Sequence, residues 1–178
     1  MKKYIFTTIF SLLSFSALAD NNLPATNPAI CLANNIYHEA STQPDAGQVA
    51  VGLVVLNRVK DSRYPNSICE VVYDARMTES WKTKQFPDLP DHKRKYYPKR
   101  HQCQFSWYCD GKRDEINRDT EAWRKALDYA SIVISGRIVM DVTQGSLWYH
   151  AYYVKPSWAR QKERVTRIDS HIFYRRKK

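Results

Sequence analysis

Glu39 is the residue whose type and spacing say most about chemistry. Leu32, Ile36 and Glu39 lie four and three apart on a stretch that reads as a helix, so they share one face. The two apolar residues turn that face inward. Glu39 continues it at the C-terminal end, where the negative end of the helix dipole disfavours a carboxylate. Apolar walls and dipole both push its pKa up. A carboxyl group that keeps its proton near neutral pH suits general-acid work. The bland alternative is a glutamate on a solvated last turn.

His38-Glu39 also invites a metalloprotease reading, which needs H-E-x-x-H with both histidines on one helical face. The fifth position here is Thr42, so that reading fails. His92, His101, His150 and His171 remain as distant ligand candidates, and no metal or other cofactor is expected. A second cluster runs Gln104-Phe105-Ser106-Trp107 between Cys103 and Cys109. Its polar groups alternate with rings, a mixture that suits a glycan through stacking and hydrogen bonds. A loop plugging the core is the alternative. Ser106 has no local His/Asp arrangement that would make it a nucleophile. A third cluster, Trp148 to Trp158, holds five rings and His150, more than a small sheet face needs. Tyr149, His150 and Trp158 are its candidates for a cleft lining.

The elements that must position these groups are mostly helical. Asn27-Pro28 is a helix start, and the helix is predicted over Pro28 to Ala40. Pro44-Asp45 opens a second, apolar nearly all round from Val49 to Leu56, which marks it as the buried central helix. Asn66 is predicted to cap a short third helix through Ile68, Val71 and Val72. Asp119 or Thr120 starts another, ended by Gly136. Leu147 to Val154 and Arg164 to Tyr174 read as short strands, with a turn at Asp169-Ser170. Between Lys82 and Arg100 lie three prolines and seven Lys/Arg against two Asp, with no clear periodicity. A connection of that length is usually functional or mobile. The expected fold is α+β, mainly helical, with a small β element toward the C-terminus.

The chain has 178 residues, 43% hydrophobic and 26% charged, which fits one globular domain and excludes disorder. Residues 1–19 read as a signal peptide: a basic start, an apolar run to Leu18, and Ala17-Leu18-Ala19 before the cut. Residues 20–178 would then form a single exported domain, periplasmic or secreted, with no stable membrane insertion. Losing Lys2 and Lys3 with the signal peptide takes the formal charge from +10 to +8, which is expected to draw the protein to anionic polymers. Export and the lack of a nucleic-acid-binding motif argue against nucleic acid. Cys31, Cys69, Cys103 and Cys109 form an even set in an oxidising compartment, so two disulfides are expected. Three pairings are open, and a small loop closed by Cys103 and Cys109 is one possibility.

Taken in order, these pieces resemble the SleB/CwlJ-type cell wall hydrolases, the spore-cortex-lytic-enzyme-like peptidoglycan hydrolases. The resemblance rests on Ile36-Tyr37-His38-Glu39-Ala40, on Gly47-Gln48-Val49-Ala50-Val51, and on Val54-Val55-Leu56-Asn57-Arg58-Val59. It continues through Tyr64 to Tyr73, Gln104-Phe105-Ser106, Cys109-Asp110-Gly111 and Tyr149-His150-Ala151, and closes with Pro156-Ser157-Trp158, Arg167-Ile168 and His171-Ile172-Phe173. It implies a lysozyme-like catalytic domain acting on peptidoglycan glycan strands, with the catalytic acid at Glu39. It further implies cleavage between N-acetylmuramic acid and N-acetylglucosamine with a 1,6-anhydro end, as in a lytic transglycosylase. Substrate contacts are expected from Gln104, Phe105, Ser106, Trp107, Tyr149, His150 and Trp158, in a monomer. Two departures stand out: the long basic stretch from Lys82 to Arg100, and Lys155 where relatives often have Asn. The competing functions are a non-catalytic exported wall-binding protein and a zinc-dependent wall amidase.

Overall fold

The computed structural model describes residues 26–177; the expected signal peptide lies outside them. Helix α1 spans Pro28–Ala40, and Asn27 caps it by accepting from the Ala29 and Ile30 amides. Helix α2 spans Asp45–Val59 and α3 spans Ile68–Val72. The cap of α3 is Ser67, one residue later than the sequence suggested. Its Oγ accepts from the Glu70 amide and donates to the Glu70 carboxylate, a reciprocal box that Asn66 is one position too early to make. Helix α5, Glu121–Ile134, is capped by Thr120, and Gly136 follows it with φ +69°, a conformation that glycine adopts without strain.

These helices close one core. Leu32, Ile36, Val55, Val71, Val72, Trp123 and Val133 are buried in it. Full burial of a Leu or Ile side chain is worth about 1.5–3 kcal/mol. Gly52 of α2 explains how closely three helices meet. A Cβ there would stand 3.2 Å from Ile36 Cδ1 and 3.3 Å from Val133 Cγ2, closer than those neighbours accept without moving. The disulfide Cys31–Cys69 ties α1 to α3.

Two small antiparallel sheets flank the helices. Strands β3 (Trp148–Ala151), β4 (Glu163–Ile168) and β5 (His171–Arg175) form one, in the order β3-β5-β4. Its inner face packs on α2 through Phe173, Ala50 and Val54, with Tyr149 and Ile168 at the edge. The other sheet was not foreseen. Strand β1 (Ala75–Glu79) pairs with β2 (Tyr96–Cys103), with a bulge between Ala75 and Met77. The residues between form a helical turn, α4 (Trp81–Lys84), and a 3₁₀ turn, Asp91–Lys93. The basic stretch is therefore an ordered arm. The Arg94 guanidinium donates to Glu79 and to the Pro87 carbonyl, and the Ser80 amide donates to the Lys95 carbonyl.

The arm has a narrow root. The Gln104 backbone N–H donates to the Asp74 backbone carbonyl at 2.8 Å, and Arg100 donates to the Asp110 carbonyl. Cys103 is bonded to Cys109, so the root is fixed to the 3₁₀ turn Ser106–Cys109. The cysteines thus take one of the three open pairings, with none free among the described residues.

Candidate active site

Glu39 sits in the last turn of α1, partly exposed. The Tyr149 hydroxyl, from β3, donates to Glu39 Oε2 at 3.1 Å. Burial raises the Glu39 pKa above the ordinary glutamate range; the Tyr149 hydrogen bond and the nearby Arg58 charge pull the other way and do not cancel it. Tyr149 is itself held well above the usual phenol value, chiefly by burial and then by the Glu39 charge, so it stays a neutral donor.

Arg58 is the participant that sequence reasoning missed. It lies near the end of α2, almost wholly buried. Its Nε donates to the Leu147 carbonyl at 2.8 Å, and its guanidinium lies 4.8 Å from the Phe105 ring centroid and 5.6 Å from that of Tyr64. Nη1 is buried without a hydrogen-bond partner. The neighbouring Asn57 amide reaches Asp141, Thr143 and the Ser146 carbonyl. Two adjacent residues of α2 thus hold two consecutive carbonyls, those of Ser146 and Leu147, just before β3. That grip sets where Tyr149 emerges. The available signal was a charged residue two positions after the apolar run of the central helix.

The three sequence clusters do not converge on one spot. Tyr149 joins Glu39, but His150 points to the opposite face of its strand, as alternation requires. The His150 Nδ1–H donates to the Ala151 carbonyl, and Nε2 lies 2.9 Å from the Tyr174 hydroxyl. The His150 ring stacks on Tyr174 and meets the edge of Trp158. This second face borders a hollow of about 490 Å³ lined by His150, Lys155, Pro156 and Tyr174.

The middle cluster divides as well. Phe105 and Trp107 are 3% and 9% exposed and belong to the helical core. Trp107 donates to Asn35 Oδ1 and stacks on His38 at 4.4 Å. They offer almost no ring face to a sugar, so their expected stacking role gives way to a packing role beneath the site. Gln104 is half-buried at the arm's root and Ser106 is exposed. Beside them an open hollow of about 610 Å³ is lined by Pro65, Cys69, Glu70, Tyr73, Asp74, Ala75 and Tyr108. Tyr73 and Tyr108 of this hollow meet the Trp107 ring edge-on, and Trp107 in turn stacks on His38; Glu39 itself is not among the lining residues. Among the described residues no three His, Cys, Asp or Glu side chains gather as a metal-holding group.

The class that this architecture defines is a lysozyme-like α+β domain. The catalytic domain of the Bacillus cereus SleB protein superposes with a TM-score of 0.52 at 23% identity, over 83% of this chain and 89% of that one. The catalytic domain of a germination-specific lytic transglycosylase, SleB from Bacillus anthracis, gives 0.51 at 24% identity, over 86% and 98%. The chain belongs to the cell wall hydrolase family, whose pattern matches residues 42–174; Glu39 stands three positions before that segment. The spore cortex-lytic enzyme of Bacillus cereus is 42% identical over 45 residues, 25% of this chain and 17% of that protein. That of Bacillus subtilis is 38% identical over 56 residues, 30% of this chain. The matched stretches span less than a fifth of these curated relatives.

Proposed function

We propose that this protein cleaves peptidoglycan glycan strands between N-acetylmuramic acid and N-acetylglucosamine as a lytic transglycosylase, with Glu39 as the single acid/base. The observation that carries this reading is the Glu39–Tyr149 pair: a glutamate with a raised pKa, its charge answered by a phenol and a guanidinium. Glu39 gives its proton to the glycosidic oxygen as the C1–O bond breaks. The muramic 6-hydroxyl oxygen then bonds to C1, and its proton returns to Glu39. No water is consumed, and the new end is a 1,6-anhydro ring. Tyr149 and Arg58 stabilise the glutamate anion between the two transfers. The groups acting on Glu39 are a phenol and a guanidinium, which suits a one-carboxylate mechanism better than the paired carboxylates of ordinary glycosidases.

Ser106, which is exposed, and Gln104, whose backbone bonds to Asp74, are the proposed polar contacts to the sugars. Trp158 and His150 serve a more distant part of the strand. Export to an oxidising compartment accords with the two disulfides.

The test is digestion of purified sacculi followed by mass analysis of the muropeptides. Anhydro ends, lighter than reducing ends by one water, are expected, and reducing ends would assign simple hydrolysis instead. Glu39→Gln should lower the rate by about 10²–10⁴-fold; more than a tenth of the activity remaining would remove Glu39 from the acid's role. A chelator should leave the rate unchanged, whereas its loss would favour a zinc amidase.

A further inference from the structure

The arm is built of residues that neither the core nor the Glu39 site uses. Trp81 is 71% exposed and Phe86 57%, and Met77, Tyr96 and Tyr97 are exposed too. Between Ala75 and Cys103 stand eight Lys/Arg against three Asp/Glu. The ladder register places Tyr96 opposite Glu79 and Tyr97 opposite Thr78, so the two tyrosines project from opposite faces of the ribbon. A two-stranded ribbon with both faces in water is marginal by itself. This one is held by the disulfide at its root and by Arg94 and Arg100, whose guanidinium groups are engaged with Glu79, Pro87 and Asp110. The lysines at positions 82, 93, 95 and 99 are exposed.

We propose that this arm is a second binding element that inserts among the strands of the peptidoglycan mesh, its rings stacking on sugar faces and its lysines pairing with stem-peptide carboxylates. The inference rests on the wall-cleaving reading given above and adds a site for the polymer outside the catalytic one. Charge complementarity favours an anionic polymer. Rings on both faces favour a network that surrounds the arm; a flat lipid surface would meet only one face. The root adjoins Asp74 and the hollow beside it, so a strand held by the arm is presented to that hollow.

The experiment measures pelleting with purified sacculi in the Glu39→Gln background, which leaves the wall uncut. One variant adds Trp81→Ala, Phe86→Ala and Tyr97→Ala. Another adds Lys93→Gln, Lys95→Gln and Lys99→Gln, which spares the two arginines that brace the arm. The ring variant should lose about tenfold in affinity at every salt concentration, equal to about 1.4 kcal/mol. The lysine variant should lose most at low salt, and little on sacculi stripped of their stem peptides. With Glu39 restored, both should turn over a short soluble glycan at the parent rate. Unchanged pelleting of both variants would overturn the proposal. So would arm-dependent binding to phosphatidylglycerol-containing vesicles with sacculus binding intact, which would assign the arm to a membrane. If the parent left the short glycan uncut, the cleavage reading would fall, while pelleting would still decide the arm's role.

Discussion

Glu39 is governed by opposing influences, and each is separable by substitution. Burial raises its pKa, whereas the Tyr149 hydrogen bond and the Arg58 charge lower it. Tyr149→Phe removes a donor that favours the carboxylate, so the Glu39 pKa should rise further. The alkaline limb of the pH–rate profile is expected to move to higher pH while kcat falls, and a limb moving toward acid would contradict the arrangement. The same shift bears on stability. Because the folded pKa lies above the unfolded one, the native state holds this proton more tightly. That contribution is complete below the ordinary glutamate value and is lost as pH rises through the raised one. Glu39→Gln does not ionise, so its melting temperature should gain on the parent's as pH climbs from about 4 to about 7. A constant gap across that range would count against a raised pKa. Glu39 was legible in the sequence because it extends an apolar stripe on its own helix. Arg58 was not, because its role depends on the Leu147 carbonyl, 89 residues away in the chain, and on the Phe105 ring above it. No local pattern encodes a contact of that range.

Among the elements, the helices announced themselves through caps and periodicity, and α1 and α2 begin where those signals stand. Asn27→Ala should cost about 1 kcal/mol in a denaturation measurement, since two amides at the start of α1 lose their acceptor. The arm stayed hidden for a physical reason. A strand shows in a sequence when one face is apolar and the other polar, and β1 and β2 have water on both. The clusters around Phe105 and His150 were legible as groups of rings, but not as facing inward or outward, since an aromatic residue serves core and cleft equally. The two disulfides should separate these element-level roles. Cys31 and Cys69 are 38 residues apart and cross-link two core helices, so their joint replacement by Ala should cost about 2–5 kcal/mol. Cys103 and Cys109 are only 6 apart, and their loss should cost about 1–2 kcal/mol less in the chain-entropy account. It should instead impair sacculus binding through the arm's root. Equal stability losses would argue that the root is part of the core.

For the whole molecule, the surplus of positive charge and the Glu39–Tyr149 pair work on different lengths. Attraction to an anionic wall is screened within about 8 Å at physiological ionic strength, whereas the proton transfers proposed for Glu39 are local. The rate on intact sacculi should therefore fall steeply with added salt while turnover of a short uncharged glycan stays level; parallel falls would place the charge inside the catalytic site. Fold class was readable from the order of caps, apolar helices and C-terminal strands, and the family resemblance ran through the same positions. The root of the arm carries one more consequence. The chain departs and returns at a single spot: Ala75 faces Cys103 in the ladder, and the Asp74 backbone carbonyl and Gln104 backbone N–H are bonded at 2.8 Å. Such a spot is a splice point, where insert length is decoupled from the frame that carries it. A shortened protein in which a two-residue turn joins Ala75 to Cys103 should fold with the Glu39–Tyr149 pair intact. Inserts of other lengths and compositions should be interchangeable there, giving a set of domains that differ in reach and share one frame.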